Sequence, residues 1–321
     1  MKKMFLPDLF FLKPTYLIAI ISLTIFFLNS CTKKLDYDFK EQPKKLIINS
    51  ILTPDSLLKV YVSSTQNILK ADTIIIDNAL VLLYQNNVLY DTLTYHGKGL
   101  YMPKNDLYPC ERCVYKVIVK ASGYPDAEAE DKMPVLNLGY DVHITYPSGY
   151  DQNNEPIGLF DLTFKDPAGE KNYYELMIYF KEFGNNKYSY LTWSDIKTDD
   201  KILKDEGDMD YYQNASGILI SDKLFNGHNI SIKFKILGQI FNIPGIPTKD
   251  AFVVLRSVSE SYYKYKKYLL RHLYNQNNSN SLDDPLHLLF SSEPSNMYTN
   301  INNGYGIFVG YSGVMKQVRL N

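Results

Sequence analysis

From residue 44 onward the chain alternates hydrophobic and polar side chains in short segments. The stretches "LLKVYVSS", "CVYKVIVKASG", "GLFDLTFKD" and "NISIKFKIL" carry an apolar side chain at every second position. An alternation with this period places the apolar side chains on one face of a β-strand. Turn signals separate the segments, and hairpins are predicted at Gln85–Asn87 and at Gly184–Asn186. Many short strands between turns favour a β-sandwich over βαβ units.

The predicted fold class is mainly β, in two domains. Residues 44–134 have the length and strand spacing of an immunoglobulin-like β-sandwich, and residues 135–321 are predicted as a second mostly-β domain. The second domain contains one exception, "SVSESYYKYKKYLLRHLYNQ", in which tyrosines and leucines recur at helical spacing. This pattern predicts one amphipathic helix near residues 260–276. Ser257 and Glu260, three positions apart, form its candidate capping box.

The N-terminal segment has the pattern of a lipoprotein signal. The uncharged run Tyr16–Leu28 follows a mildly basic start, and it is shorter than the roughly 18 to 20 residues of a membrane-spanning helix. Its length and flank are typical of a secretory signal peptide. It ends in "LNSC", which resembles a bacterial lipobox whose cysteine, Cys31, receives a lipid through its thiol. The alternative is an uncleaved short anchor with an incidental cysteine. We predict a signal peptide over residues 1–30, lipidation of Cys31, and a charged tether over residues 31–43.

Charge and composition narrow the class of protein. The first 30 residues hold three lysines and one aspartate, so the remaining 291 of 321 residues carry 31 basic and 34 acidic side chains. Nucleic-acid binding requires a basic stripe, and this balance argues against it. A hydrophobic content of 45% is that of a folded globular protein. The 28 tyrosines favour strands and wet surfaces, as expected of a β-rich protein outside the cytoplasm.

Two further cysteines, Cys110 and Cys113, form a C-x-x-C pair. In a βαβ context such a pair is a thioredoxin-like redox motif, and with a second pair or with histidines it would hold zinc. Here the pair precedes a predicted strand, Val114–Ala121, and no second pair or matching histidines accompany it. Outside the cytoplasm, a small disulfide between Cys110 and Cys113 is therefore the favoured interpretation.

No motif in the chain predicts a catalytic, cofactor-binding or metal-binding residue. "GYGIFVG" approximates the dinucleotide fingerprint, but its third glycine, Gly310, falls one place late and no helix follows. A strand with close backbone approach at Gly304 and Gly306 is favoured instead. The acidic stretch Lys197–Asp210 lacks the spacing of a calcium-binding loop. Ser312 in "GYSGV" lacks the final glycine of a nucleophile elbow.

Two kinds of segment are candidates for binding a ligand or a partner protein. Trp193, with Tyr188 and Tyr190 near it, could stack on a sugar ring or on a partner, although ordinary packing in a sheet is the favoured interpretation. Lys197–Asp210 and Asn275–Asp284 are predicted as the longest irregular loops. Long loops on a rigid β scaffold are common sites of recognition.

Several motifs, taken in order, resemble one known family. They are the lipobox, the strand "KLIINSILT", the segment "YKVIVKASGY", the strand and helix "VVLRSVSESYYKY", and the terminal "NINNGYGIFVGYS". Together they are similar to the Bacteroidetes outer-membrane lipoproteins catalogued as domain of unknown function 4249, over nearly the whole chain after Cys31. The resemblance implies an outer-membrane location and a partnership with TonB-dependent transporters in uptake. It supplies no catalytic residues, and the C-x-x-C pair is not placed as a family feature.

The leading expectation is a non-catalytic binding protein of the outer membrane, anchored through Cys31 and accessory to a TonB-dependent receptor. No cofactor is expected. The alternatives are a lipid-anchored enzyme acting on an extracellular polymer, and a structural or adhesion protein of the envelope. A cleft of carboxylates in the second domain would favour the enzyme, and an exposed aromatic patch would favour binding. The residues after Cys31 are not acidic, so the choice between the cell surface and the periplasmic face stays open.

Anchoring should depend on a single thiol. We expect Cys31→Ala to abolish incorporation of a fatty-acid probe and to release the protein from the membrane fraction, because the lipid has no other attachment point. Labelling and fractionation of cells measure both effects. The matched control, Cys110→Ser with Cys113→Ser, removes the other two cysteines and should keep the label. A Cys31→Ala protein that still labels and stays bound contradicts the prediction.

Overall fold

The computed structural model of this chain describes residues 43–67, 73–135, 139–181, 188–206, 215–238, 250–279 and 295–320. The predicted signal peptide, Cys31, the tether up to residue 42 and the predicted turn Gly184–Asn186 lie outside these ranges. Residues 43–321 group as one compact unit. None of the described helices is long and apolar enough to cross a membrane.

Strands dominate the described residues, which confirms the mainly-β prediction. The first eight strands are β1 (Leu46–Leu52), β2 (Val60–Ser64), β3 (Ile74–Ile75), β4 (Leu80–Gln85), β5 (Val88–Tyr95), β6 (Leu100–Met102), β7 (Val114–Lys120) and β8 (Ala127–Lys132). The other nine are β9 (Tyr140–Tyr150), β10 (Pro156–Lys165), β11 (Tyr173–Lys181), β12 (Tyr188–Tyr190), β13 (Ile196–Lys197), β14 (Ile218–Ser221), β15 (Asn229–Ile236), β16 (Asp250–Val258) and β17 (Tyr305–Arg319). The helices are α1 (Lys201–Asp205) and α2 (Glu260–Ser279), and Trp193–Asp195 and Asp222–Leu224 form single 3-10 turns.

The alternation of side chains determines which strand faces are buried. The apolar residues at alternate positions of β10 and β15 are all buried: Phe160, Leu162, Phe164, Ile230, Ile232, Phe234 and Ile236. The predicted hairpin between β4 and β5 is also present. Its turn residues Asn86 and Asn87 have φ values of 51° and 66°, a left-handed conformation that asparagine tolerates better than most residues.

The strands form two sheets. The larger sheet has 13 strands in the order β12-β11-β16-β17-β1-β2-β6-β5-β4-β7-β8, with β14 beside β11 and β3 beside β2. The smaller sheet has the order β13-β15-β10-β9. Among the described residues, the pairing of β1 with β17 is parallel and the other strand pairings are antiparallel.

Two main hydrophobic cores lie on these sheets. The N-terminal core is built from β1–β8 together with Ile301 and Phe308 from the end of the chain. The C-terminal core is built from the smaller sheet and from β11, β14 and β16, with the rings of Phe160 and Phe234 stacked 4.4 Å apart. The predicted boundary between residues 134 and 135 falls between the cores, yet the larger sheet runs through both halves. The division into two domains stays a prediction.

Strand β17 joins the halves by changing its partner. Its residues 305–310 pair with β1, and its residues 311–319 pair with β16. At the two glycines of its N-terminal end, a Cβ at Gly304 would lie 2.8 Å from the Leu46 carbonyl oxygen, and at Gly306 it would meet the Ile48 carbonyl. The predicted close backbone approach at Gly304 and Gly306 is therefore confirmed.

Gly310 is the residue at which β17 exchanges partners. Its N–H donates to a carboxylate oxygen of Asp131 at 2.8 Å, and its carbonyl accepts the Ser259 N–H at 2.9 Å. A Cβ at this position would lie 2.6 Å from the sulfur of Met133. The backbone groups that the exchange frees are thus satisfied by β8 and by the start of α2.

Helix α2 begins directly after β16. Ser259 caps it, because its hydroxyl accepts the Tyr262 N–H at 3.1 Å and its carbonyl accepts the Tyr263 N–H at 3.0 Å. The predicted capping box is wrong, because Ser257 lies inside β16 and pairs with strands on both sides. The pairing of β16 extends to Val258, one residue past the predicted cap, and the helix begins only after that pairing ends.

The helix also ends later than predicted. It continues to Ser279, so the first residues of the asparagine-rich stretch Asn275–Asp284, predicted as an irregular loop, are helical. The residues of that stretch from 280 onward lie outside the described residues.

Asp131 of β8 places a titratable group at the junction. Burial raises the pKa of Asp131 to about 7, although hydrogen bonds from the Ser259 hydroxyl and the Gly310 N–H favour the charged form. The folded protein therefore binds this proton more tightly than the unfolded chain, in which the pKa is near 3.8. The stabilisation from the protonated carboxyl is complete below pH 3.8 and is lost as the pH rises toward about 7.

Asp131→Asn should remove this pH dependence. The amide carries no charge and keeps an oxygen that can accept the Gly310 N–H. We expect the free energy of unfolding of the variant, relative to the native protein, to rise between pH 4 and pH 7 by up to ~1.4 kcal/mol per pH unit. Urea unfolding across this range measures it, and Asp126→Asn controls for the loss of one negative charge from an exposed position. A difference that is constant from pH 4 to pH 7 would show that Asp131 does not titrate there.

Candidate binding face on the larger sheet

A buried ion cluster fixes helix α2 to β11 and β16. Glu175 of β11 is 2% exposed, and it accepts hydrogen bonds from Arg256 at 2.8 Å and from the Tyr262 hydroxyl at 2.9 Å. The ammonium of Lys266 lies 3.3 Å from its other carboxylate oxygen. Glu175 and Arg256 are paired across the two strands, and Tyr262 and Lys266 lie one turn apart on α2. The cluster therefore ties the helix to the sheet.

Within this cluster Arg256 stays charged and Tyr262 stays neutral. Burial alone would lower the pKa of Arg256, but the Glu175 carboxylate and two neighbouring tyrosines more than offset it, so this pKa lies above its usual value. Burial raises the pKa of Tyr262, and the charge of Glu175 raises it further. The guanidinium also lies over the ring of Tyr311, 4.3 Å from its centroid. This arrangement, an ionised pair with a neutral tyrosine, favours a structural role over proton transfer.

A second buried carboxylate, Glu206, follows α1 and also holds α2. It accepts hydrogen bonds from the Ser221 hydroxyl and from Lys267, each at 2.7 Å, and from the Tyr263 hydroxyl. Leu203 of α1 is fully buried in the C-terminal core. Both of these residues anchor α1 and the turn after it to the body of the protein.

The stretch Lys197–Asp210 is therefore not the irregular loop that was predicted. It contains the end of β13 and all of α1, and Asp200 caps α1 by accepting the Ile202 N–H at 2.9 Å. Residues 207–210 lie outside the described residues. The sequence signal was misleading because the charged residues of this stretch conceal a short apolar face, of which Leu203 is the buried member.

Beside α2, the outer face of the larger sheet carries aromatic side chains. The strand registers place Tyr190 next to Tyr179, Tyr179 next to Phe252, and Phe252 next to Gln317. Directly paired residues on neighbouring strands point to the same face of a sheet, so these four residues cross the sheet in one line. Tyr188 lies two positions from Tyr190 on β12, on the same face. We call Tyr179, Tyr188, Tyr190 and Phe252 the aromatic row.

The rings of the aromatic row meet edge to face; the two rings on β12 are exposed, and Tyr179 and Phe252 are half-buried. The ring of Tyr179 lies 4.8 Å from that of Tyr190 with an angle of 65° between the planes, and 6.5 Å from that of Tyr188 at 80°. Tyr188 and Phe252 are 6.0 Å apart at 83°. Tyr188 is 45% exposed and Tyr190 is 48% exposed. Burial raises the pKa of Tyr179, whose hydroxyl donates to the sulfur of Met177 at 3.2 Å.

Trp193 is not part of this row. It lies in the 3-10 turn after β12, is 5% exposed, and belongs to the C-terminal core. The favoured interpretation, ordinary packing, is therefore confirmed for Trp193, while the two tyrosines named with it, Tyr188 and Tyr190, are exposed. The turn of the chain at Thr192, whose hydroxyl donates to Asp195 at 2.7 Å, separates the buried indole from the exposed tyrosines.

A shallow cavity of about 480 Å³ lies on the smaller sheet. It is lined by Leu159, Lys197, Thr198, Asp199, Asp200, Lys233, Phe234 and Lys235. Two of its charged groups are paired, Lys233 with Asp161 at 2.9 Å and Asp199 with Lys204 at 2.8 Å. We call Lys197, Lys233 and Lys235 the lysine face; Lys197 and Lys235 are directly paired across β13 and β15, and both are exposed.

Cys110 and Cys113 lie where the sequence placed them, immediately before β7. Their sulfur atoms are 2.08 Å apart, a bonded distance, and Cys110 Sγ lies 3.2 Å from the Tyr115 hydroxyl. Both cysteines pack against the N-terminal core. A disulfide at this position cross-links the turn before β7.

The remaining candidates for chemistry are Ser312 and possible metal ligands. Ser312 is fully buried and donates to the Pro134 carbonyl at 3.0 Å, so it fastens β17 to the segment after β8. Among the described residues, no group of three or more histidine, cysteine, aspartate or glutamate side chains could hold a metal ion.

Four residues of this face were not singled out from the sequence: Glu175, Arg256, Tyr179 and Phe252. A signal for the first two was present, because "YYELMIYF" and "AFVVLRSV" each contain a single charge in an otherwise apolar strand. A lone charge at such a position requires a partner of opposite charge. Tyr179 and Phe252 gave no such signal, because their exposure depends on which part of the sheet α2 packs against.

Taken together, the fold and this face define a mainly-β protein that carries an open aromatic surface beside a helix fixed by buried ion pairs. The chain belongs to the family described as a domain of unknown function (DUF4249), whose model matches residues 32–317. The resemblance to domain of unknown function 4249 is thus confirmed. No curated protein matches the chain.

Removing one member of the buried ion pair should cost more than removing both. Glu175→Ala leaves the Arg256 guanidinium buried without its carboxylate, and we expect a loss of about 3–5 kcal/mol in the free energy of unfolding. Glu175→Leu combined with Arg256→Met removes both charges at similar volume and should restore most of that loss. Urea unfolding of the single and double variants measures the difference. Glu170→Ala, which breaks an exposed pair with Lys132, should change little. Equal losses in the single and double variants would contradict a role of the charges.

Proposed function

We propose that this protein is a non-catalytic binding protein, held at the outer membrane through lipidated Cys31 and accessory to a TonB-dependent transporter in nutrient uptake. The observation that carries the binding role is the aromatic row. Exposed aromatic rings on a rigid sheet form a preorganised contact surface, because little side-chain entropy is lost when a partner or ligand covers them. The location and the transporter partner rest on the sequence pattern at Cys31 and on the family resemblance.

The buried carboxylates support binding over catalysis. Glu175 is paired with Arg256 of β16 and Lys266 of α2, and Glu206 is paired with Lys267 of α2. Asp166 accepts the Tyr174 hydroxyl and the Gly227 N–H. Asp222 accepts the Asn172 N–H at 2.8 Å. All four are occupied by contacts within the protein itself, so none is presented to a substrate in a cleft.

The length of the tether limits the distance between the folded part and the membrane surface. Thirteen residues from Cys31 to Pro43 reach at most about 45 Å when fully extended. A lipid anchor with such a tether confines the folded part to a thin layer above the bilayer. Confinement raises the local concentration of any co-resident transporter, so a modest contact surface suffices for association.

The lysine face is the surface that we assign to the transporter. Deleting part of Lys197–Asp210 would test this poorly, because the deletion would remove Leu203 and Glu206, which the fold requires. Reversing exposed charges leaves the backbone intact. Lys197 and Lys235 are the suitable positions, since they are paired on the solvent side of the smaller sheet.

We expect the native protein to co-purify with a TonB-dependent receptor after mild cross-linking of cells. Lys197→Glu combined with Lys235→Glu should reduce the recovered receptor several-fold, because it reverses the charge of the contact surface. Lys59→Glu combined with Lys104→Glu makes the same charge change at exposed positions in the N-terminal half and should leave recovery unchanged. Failure to recover a receptor under conditions that capture a known transporter pair would refute the partnership. Hydrolysis of a polysaccharide or peptide by the purified protein would refute the non-catalytic role.

A further inference from the structure

The aromatic row has the size of a small-ligand site. An aromatic side chain has an area of about 150–250 Å², so the exposed parts of the row offer on the order of 300–400 Å² in total. A stable protein interface buries about 800 Å² on each partner. The row alone is too small for such an interface, and it is large enough to cover one face of a short ligand.

The shape of the row indicates an elongated ligand with flat apolar faces. Neighbouring strands are about 4.8 Å apart, so the line from Tyr190 to Gln317 across four strands is about 14 Å long. Adjacent rings meet at angles of 65° to 83°, so they brace one another edge to face. Tyr188 and Tyr190 are 45% and 48% exposed, so these two rings offer the largest surface on which a ligand can stack.

The polar side chains at the edge of the row indicate the charge of that ligand. Gln317 ends the line. Two residues further along, Asp250 of β16 and Arg319 of β17 are partners in the strand register. These three side chains supply hydrogen-bond donors and acceptors, and charges of both signs are present. A ligand that presents several hydroxyl groups and no net charge matches this edge, because hydroxyl groups both donate and accept, whereas a charged ligand would meet a like charge at Asp250 or at Arg319.

We propose that the aromatic row binds a neutral oligosaccharide, with its pyranose rings stacked on Tyr188, Tyr190 and Phe252 and its hydroxyl groups on Gln317, Asp250 and Arg319. This inference rests on the proposed binding function and names its ligand class. A pyranose has one face of C–H groups and a rim of hydroxyl groups, so it complements an aromatic face that has a polar edge. No covalent step is involved.

Saturation-transfer NMR on the full-length protein tests the proposal. The protein is held in a detergent without a sugar headgroup, and the probes are maltotetraose, cellotetraose and xylotetraose. We expect saturable binding of at least one probe. Tyr188→Ala and Tyr190→Ala should each weaken it about fivefold, which corresponds to ~1 kcal/mol. Tyr305→Ala is the matched control, because Tyr305 is 47% exposed, close to the 48% of Tyr190. It lies at the opposite end of β17 from Gln317, in the part of the strand that pairs with β1.

Several results would overturn the inference. They are the absence of saturable binding by all three probes, equal weakening by Tyr305→Ala, and tighter binding of tetragalacturonic acid than of the neutral probes. Loss of receptor cross-linking in Tyr190→Ala without sugar binding would identify the row as a protein contact instead. Circular dichroism of each variant establishes that it is folded. Because sugar binding is measured without a receptor, it can succeed when the transporter partnership fails, and the reverse also holds.

Discussion

The pairing of β17 with two different strands is the constraint on which the structure depends. One strand hydrogen-bonds to β1 over residues 305–310 and to β16 over residues 311–319. The exchange leaves backbone groups of Gly310 to be satisfied by Asp131 and Ser259. The same contacts fix the start of α2, so the helix position, the continuity of the larger sheet and the closure of the N-terminal core follow from one junction.

The candidate site is a consequence of how far α2 extends over the sheet. Glu175 and Glu206 hold the helix over the part of β11 and β16 that contains Arg256. The part that contains Tyr179 and Phe252 lies beyond these contacts, and both side chains are half-buried. Because the row is built on paired strands and not on loops, its ring positions are determined by the register of the larger sheet.

The sequence predicted the strands well where alternation was strict, as in β15, because burial on one face directly produces that pattern. It predicted the existence of α2 but misplaced its cap at Ser257, since strand pairing with β11 and β17 outweighs the local helix signal. Tyr188 and Tyr190 were identified by residue type, but Trp193 beside them is buried. Exposure of neighbouring aromatic residues is determined by tertiary packing, which a single sequence does not reveal.

The parallel pairing of β1 with β17 also determines the order in which the protein can fold. Ile47 and Tyr305 are partners, although almost the whole described chain separates them. Closing so long a loop is entropically costly and slows folding. During synthesis, β1 emerges first and its edge stays unpaired until the last strand arrives, and Phe308 is missing from the N-terminal core until then. An unpaired strand edge is prone to aggregation, so the nascent chain must be kept from self-association until β17 is made.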